Sequence, residues 1–248
     1  MEIWQIFVLG LVGVMAGWLN VMAGGGSLLT VPIMLFMGVP GPVANGTNRI
    51  AILAQNITAV NTFRRRGFSD FRLSVSLSAA AALGALGGAS VGVHLDGVWF
   101  DRVLALVMVA VMVLMATGQD KVKPVGGDAE PKNLWLGHLL MVGAGFWGGF
   151  IQIGVGFVLM PILHRVMGLD LVRVNMHKVF VVLVFTIVAL AVFASRLELL
   201  WWTGIGLAVG NSIGGWLGAH TTVAHGEALI RRVLYLALTA FIIKLLFL

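Results

Sequence analysis

Asn20, Gly24, Gly25, Gly26 and Ser27 interrupt the apolar segment AGWLNVMAGGGSLLTVP with an amide side chain, three glycines and a hydroxyl. Gln152, Gly154 and Gly156 interrupt a second apolar segment, GFWGGFIQIGVGFVLMPI, in a similar way. A membrane helix broken at glycine leaves backbone N–H groups that lipid cannot satisfy, so such a break implies a protein-lined or wet cavity. The helix that resumes beyond it offers the positive end of its dipole, and glycine lets an anion come close to the backbone. The chemistry on offer is the hydrogen bonding of an anion, with Asn20, Ser27 and Gln152 adding directional contacts to the glycine amides.

Two cations stand at corresponding places. Arg49 follows Asn45, Thr47 and Asn48, and Lys178 follows Asn175 and His177. Each begins a predicted span, where a buried ion is costly unless it is paired or snorkels to the interface. Attraction of substrate and snorkelling both remain open at this point, and the polar company of the two residues favours the first. The carboxylates Glu2, Asp70, Asp96, Asp101, Asp120, Asp128, Glu130, Asp170, Glu198 and Glu227 all fall in loops or at span ends. A cation pathway normally needs a carboxylate in mid-membrane, so the expected partner is a small anionic substrate. Any coupled proton would have to ride on His94, His177, His220, a basic residue or the substrate itself. The absence of cysteine excludes thiolate metal sites and disulfides. Nothing in the chain calls for a cofactor or a metal.

The elements that must position these residues follow from composition. Of 248 residues, 59% are apolar and 10% charged, and the mean hydropathy is +1.01. Apolar runs near the length of a bilayer crossing recur between short charged loops, which reads as an all-α polytopic membrane protein in contact with a lipid bilayer. The formal charge of +6 would raise nucleic acid in a soluble chain. Here the basic residues sit between spans, as Arg64, Arg65 and Arg66 do, so nucleic acid is excluded as a partner. Residues 3–23 resemble a signal peptide in length but follow no basic leader, and they belong to the repeat described next.

The sequence repeats itself. Gly84, Gly88, Gly92 and His94 return at one constant offset as Gly210, Gly214, Gly218 and His220, and Arg102-Val103-Leu104 returns as Arg232-Val233-Leu234. Pro32 precedes Arg49 by the same interval that separates Pro161 from Lys178. The expectation is two inverted repeats, residues 1–118 and 134–248, joined by a polar cytoplasmic linker at 119–133. Each repeat holds a broken or re-entrant V-shaped helix pair plus three transmembrane helices. The first has the pair at about 3–37 and spans at about 45–63, 71–93 and 99–118; the second has 134–165, then 175–194, 198–220 and 228–248. A V that enters and leaves on one side leaves only Arg102 and Arg196 outside, whereas a single crossing would move Arg165, Arg173, Arg231 and Arg232 outside and Arg196 inside; the positive-inside rule selects the V. The second arms, about 27–37 and 154–165, are too short to cross a core of roughly 30 Å. The glycines spaced by four read as a packing seam rather than a ligand site, with Asn211 and Ser212 beside it within reach of the cavity.

The order GGGSLLTVPIMLFMGVPGPVANGTNRIAIL, RRRGFSDFRL, the glycine seam, GFWGGFIQIGVGFVLMPI and NMHKVFVVL resembles the TauE/SafE family of sulfite exporters, also called TSUP, over about residues 10–245. Gly24, Gly25 and Gly26 match the family's first glycine cluster, and Thr47-Asn48-Arg49 the polar start of the next helix. In the second half Gly154-Val155-Gly156 is shorter than the family pattern and His177-Lys178 stands at the Asn-Arg position. The resemblance implies a multi-pass protein of the plasma (inner) membrane of a bacterium or archaeon that transports sulfite, a sulfonate or a related oxyanion by alternating access. Substrate-binding groups on this reading are Asn20, Gly24, Gly25, Gly26, Ser27, Asn48, Arg49, Gln152, Gly154, Gly156, His177 and Lys178. The alternatives are an anion channel or a membrane subunit of a larger complex. An intramembrane hydrolase using Ser27 would need a histidine within hydrogen-bond reach.

Overall fold

A computed structural model gives the fold and describes residues 3–68, 70–95, 97–117 and 130–221. Among these residues all regular structure is helical: α1 (Ile3–Ala23), α2 (Ser27–Phe36), α3 (Gly41–Arg65), α4 (Phe71–Gly92), α5 (Gly97–Thr117), α6 (Leu134–Phe150), α7 (Val155–Pro161) continued by a π-helical turn (Ile162–Val166), α8 (Leu171–Arg196) and α9 (Trp201–Thr221). Most of the expected linker and the expected span at 228–248 lie outside the described residues. Trp4–Met22, Phe71–Gly92 and Leu171–Arg196 are long and apolar enough to cross a membrane. Large apolar side chains such as Phe7, Leu11, Leu83, Trp135 and Trp202 are exposed, which suits a surface that faces lipid. The chain is an all-α polytopic membrane protein.

Helix pairing follows the glycines. Helix α4 packs along α6, and α9 along α1. A methyl group added at Gly84 or Gly88 would collide with the carbonyl oxygens of Val142 or Phe146; one added at Gly145 or Gly149 would collide with those of Ala81 or Ala85. The other pair repeats the pattern, Gly210 and Gly214 lying against the carbonyls of Gly10 and Val14, and Gly17 against that of Asn211. In lipid there is little hydrophobic drive to bring helices together, so stability depends on such backbone-to-backbone contact. The seam is a packing device, as its spacing predicts. Asn211 is drawn into a hydrogen bond with Gln55 (Nδ2 to Oε1, 3.4 Å) and does not reach the cavity described below.

Helices α3 and α8 bridge the two pairs, α3 packing on α9 and α8 on α4. At the end of α7 the chain returns to the start of α6: the Lys132 N–H donates to the Met167 carbonyl at 2.9 Å and the Asn133 amide to the Val166 carbonyl at 3.0 Å. The chain leaves α2 at the other end of α3, where Gly41 abuts Phe100 and Thr47 Oγ1 accepts from the Leu200 N–H at 3.1 Å. Phe63, near the far end of α3, clusters with Met176 of α8, whose first turn carries the Arg173–Asp70 pair (3.5 Å). The two broken units therefore finish at opposite faces of the bundle. Helix α2, at 10 residues, is about 15 Å long, half the hydrocarbon thickness. Asp70 and Asp170 cap helices, accepting from Leu73 N–H (3.2 Å) and from Val172 and Arg173 N–H (2.9 and 3.1 Å), which fixes the starts of α4 and α8.

Gly87, one residue off the seam, would place a methyl 3.7 Å from its nearest neighbour. Gly88→Ala should therefore destabilise the protein by about 1–3 kcal/mol through overpacking, and Gly87→Ala should leave the thermal midpoint in detergent unchanged. Equal midpoints for the two variants would contradict the seam.

Candidate functional site

Each break is built from unusual backbone. After α1 the chain turns at Gly24, whose φ of +81° is strained for any residue with a Cβ; its N–H still donates to the Leu19 and Asn20 carbonyls at 3.2 and 2.9 Å. Helix α2 then starts at Ser27, and the amides of Gly25, Gly26 and Ser27 have no acceptor among the described residues. These are orphan donors of a helix N-terminus. The second break turns at Gln152 and Gly154, with φ of 61° and 72°. Left-handed backbone at a glutamine costs roughly 1–2 kcal/mol. Trp147 steadies that turn by donating from its indole to the Ile153 carbonyl at 3.0 Å.

The two breaks meet. Gly24 and Gly156 touch through their Cα atoms, and a side chain on either would occupy the other's backbone. Around this contact lies a small cavity. Asn20, Gly24 and Ser27 contribute from the first broken unit, Gln152, Val155 and Gly156 from the second, Ile52 and Asn56 from α3, and Lys178, Val179 and Val182 from α8. Its volume of about 10 Å³ is room for about one water molecule. No carboxylate lines it. Gln152 donates to Thr186 Oγ1 at 2.8 Å, which leaves its Oε1 buried and without a partner. Asn20 donates to Gln55 Oε1 at 3.1 Å, and Ser27 Oγ accepts from Asn48 Nδ2 at 3.1 Å.

The cations sit behind the cavity wall, and each caps a helix of the other half. Arg49 donates from its two terminal nitrogens to the Gly148 and Gly149 carbonyls at 2.9 and 2.6 Å, in the last turn of α6. Its guanidinium lies over the Phe193 ring, 4.5 Å from the centroid. Lys178 Nζ donates to the Val21 carbonyl, in the last turn of α1, and to Asn175 Oδ1, both at 2.6 Å. Those carbonyls are the ones a helix leaves unpaired at its C-terminus, where the dipole is negative. Lys178 reaches the cavity as well; Arg49 does not.

The expected site residues fall in different places. Arg49 and Lys178 are 0% and 2% exposed, so neither snorkels to the interface. Asn48 lies one layer back, holding Ser27 and accepting from Thr30 Oγ1 at 2.7 Å. His177 faces away from the cavity, its Nδ1 2.9 Å from Ser74 Oγ and its Nε2 3.9 Å from Asp70 Oδ2. Gly25, Gly26 and Gly154 shape the breaks without lining the cavity. Ser27 Oγ has an asparagine, Asn48, as its hydrogen-bond partner, and no histidine bonds to it among the described residues. Asn56, Gln55 and Thr186 were missed. The adjacent amides in ILAQNITAV were the available signal for the first two.

The family model described as sulfite exporter TauE/SafE matches residues 9–245. A probable membrane transporter protein, ORF9, of Sinorhizobium sp is 26% identical over 93% of this chain and 88% of its own. A probable membrane transporter protein of Haemophilus influenzae is 26% identical over 90% and 88%, and the probable membrane transporter protein YfcA of Escherichia coli K12 is 24% identical over 97% and 89%. No solved structure matches.

Arg49→Met should cost about 3–5 kcal/mol, because it strands two buried carbonyls that the guanidinium caps. Arg49→Lys, which keeps the charge but not the fork, should lose less. Unfolding in a denaturing detergent series checks both, and a Met variant as stable as the parent would refute the capping role.

Proposed function

The chain belongs to the sulfite exporter TauE/SafE family, and from that membership we propose that it carries a small sulfur-containing anion, sulfite, a sulfonate or a related oxyanion, across the membrane by alternating access. It acts as a transporter rather than an enzyme, in the plasma membrane of a bacterium or archaeon. The observation that carries this reading is the cavity itself: glycine tips of both broken units, the start of α2 at Ser27, the amide of Asn20 and the ammonium of Lys178 converge on one space with no carboxylate. Such donors suit an oxyanion. Lys178 commits two of its three N–H donors to Val21 and Asn175, and the third is left for the guest.

Alternating access needs the cavity to open to each side in turn. The reading takes the chain as two inverted repeats, 1–118 and 134–248, with the contacts of α1 on α9 and α6 on α4 as corresponding pairs. On one face a cleft of about 500 Å³ lies between α3, α4 and α8. An apolar cluster shares Val179 with the cavity and Phe63 and Met176 with the cleft, so it forms the partition between them. At about 10 Å³ the cavity is too small for any oxyanion. Separation of α3 from α8 would admit the guest from the cleft and bring Lys178 into its path.

The test is flux into proteoliposomes. Saturable uptake of sulfite or a small sulfonate is expected, reduced at least about tenfold by Lys178→Gln and little affected by His177→Gln, with folding of each variant confirmed by its thermal midpoint. Flux that never saturates would favour a channel, and full activity in folded Lys178→Gln would remove the proposed binding site.

A further inference from the structure

A second polar cavity lies apart from the first. At the C-terminal ends of α3 and α9 the two helices leave a cleft of about 340 Å³, lined by Asn61, Thr62, Arg65 and Arg66 on one side and Trp216 and His220 on the other. This volume falls in the range of ligand pockets. Neither arginine has a carboxylate partner among the described residues; Asp70, the nearest acid along the chain, engages Arg173 instead. His220 is fixed, its Nδ1 donating to the Trp216 carbonyl at 2.9 Å and its ring 4.5 Å from the indole. The Asn61 amide and the Trp216 indole N–H also have no partner among the described residues. The uncommitted donors thus include two permanent positive charges, and the cleft is suited to an anion larger than a simple oxyanion.

The surroundings decide what carries that anion. Ile205, Val209, Ile213 and Leu217, spaced by four along α9, are 36% to 60% exposed and form one apolar stripe that ends at the cleft. Trp216, 48% exposed at its end, is the residue type that settles at the membrane interface, apolar ring inward and N–H toward the headgroups. A basic pocket joined to an apolar stripe matches an amphiphile with a negative head.

We propose that this cleft binds the phosphate headgroup of an anionic phospholipid, whose acyl chains lie along the α9 stripe. Arg65 and Arg66 hold the phosphate oxygens, Asn61 adds a hydrogen bond, and Trp216 packs at the junction of head and chain. The site is independent of the transport cavity and of the substrate assigned to it.

Native mass spectrometry of the full-length chain in detergent tests this, with phosphatidylglycerol, phosphatidylcholine and inorganic phosphate titrated separately. Phosphatidylglycerol should bind about tenfold or more tighter than phosphatidylcholine, and R65Q/R66Q should abolish that preference. Arg64→Gln, which alters the neighbouring cleft, should keep it. All three positions are exposed, so the variants should fold, as their thermal midpoints will verify. Equal binding of the two lipids, or a preference that survives in folded R65Q/R66Q, would overturn the proposal. Inorganic phosphate binding as tightly as phosphatidylglycerol would overturn it too, by assigning the cleft to a free anion.

Discussion

A helix that stops inside hydrocarbon leaves its last carbonyls without donors, and no water is at hand to replace them. Both α1 and α6 stop in this way, and each is completed by a buried cation from the opposite half of the chain. Arg49 reaches Gly149 across 100 residues of sequence, and Lys178 reaches Val21 across 157. The contact solves two problems together, because a buried charge without a partner would itself cost several kcal/mol. The negative end of a helix dipole is a favourable place for it. The breaks, and the cavity they enclose, therefore depend on the two halves being assembled.

The two caps differ in a way that suits their residue types. Arginine is a planar fork that holds two adjacent carbonyls while its face stacks on the Phe193 ring. Lysine is a compact charge on a flexible stem, tied to one carbonyl and to the amide of Asn175. The first is a fixture. The second borders the cavity.

Much of this was legible in the sequence because the bilayer permits few solutions. Apolar length located α4 and α8 to within a few residues, Gly24 and Gly154 marked the breaks, and the four-residue spacing of Gly84 and Gly88 announced close packing. Burial of Arg49 was not legible. Its position two turns into α3 rather than at the helix start, and the carbonyls it meets on α6, are products of tertiary assembly that local pattern does not encode. His177 carries the same lesson: it neighbours Lys178 in sequence, but the helical turn of about 100° per residue points it toward Ser74 and Asp70 instead of the cavity. Asn56 was not legible for the opposite reason, since an amide in an apolar helix looks like many that only bond their own backbone, as it also does with the Ile52 carbonyl at 2.7 Å.

The tip contact between Gly24 and Gly156 is backbone against backbone, with no side chain in between. Descent with modification is then constrained jointly at these two positions: neither can gain bulk while the other stays put, so drift at one must wait for a compensating displacement at its counterpart. A contact made of bare main chain also has no rotamers to reset, so its spacing is set by the two backbones alone.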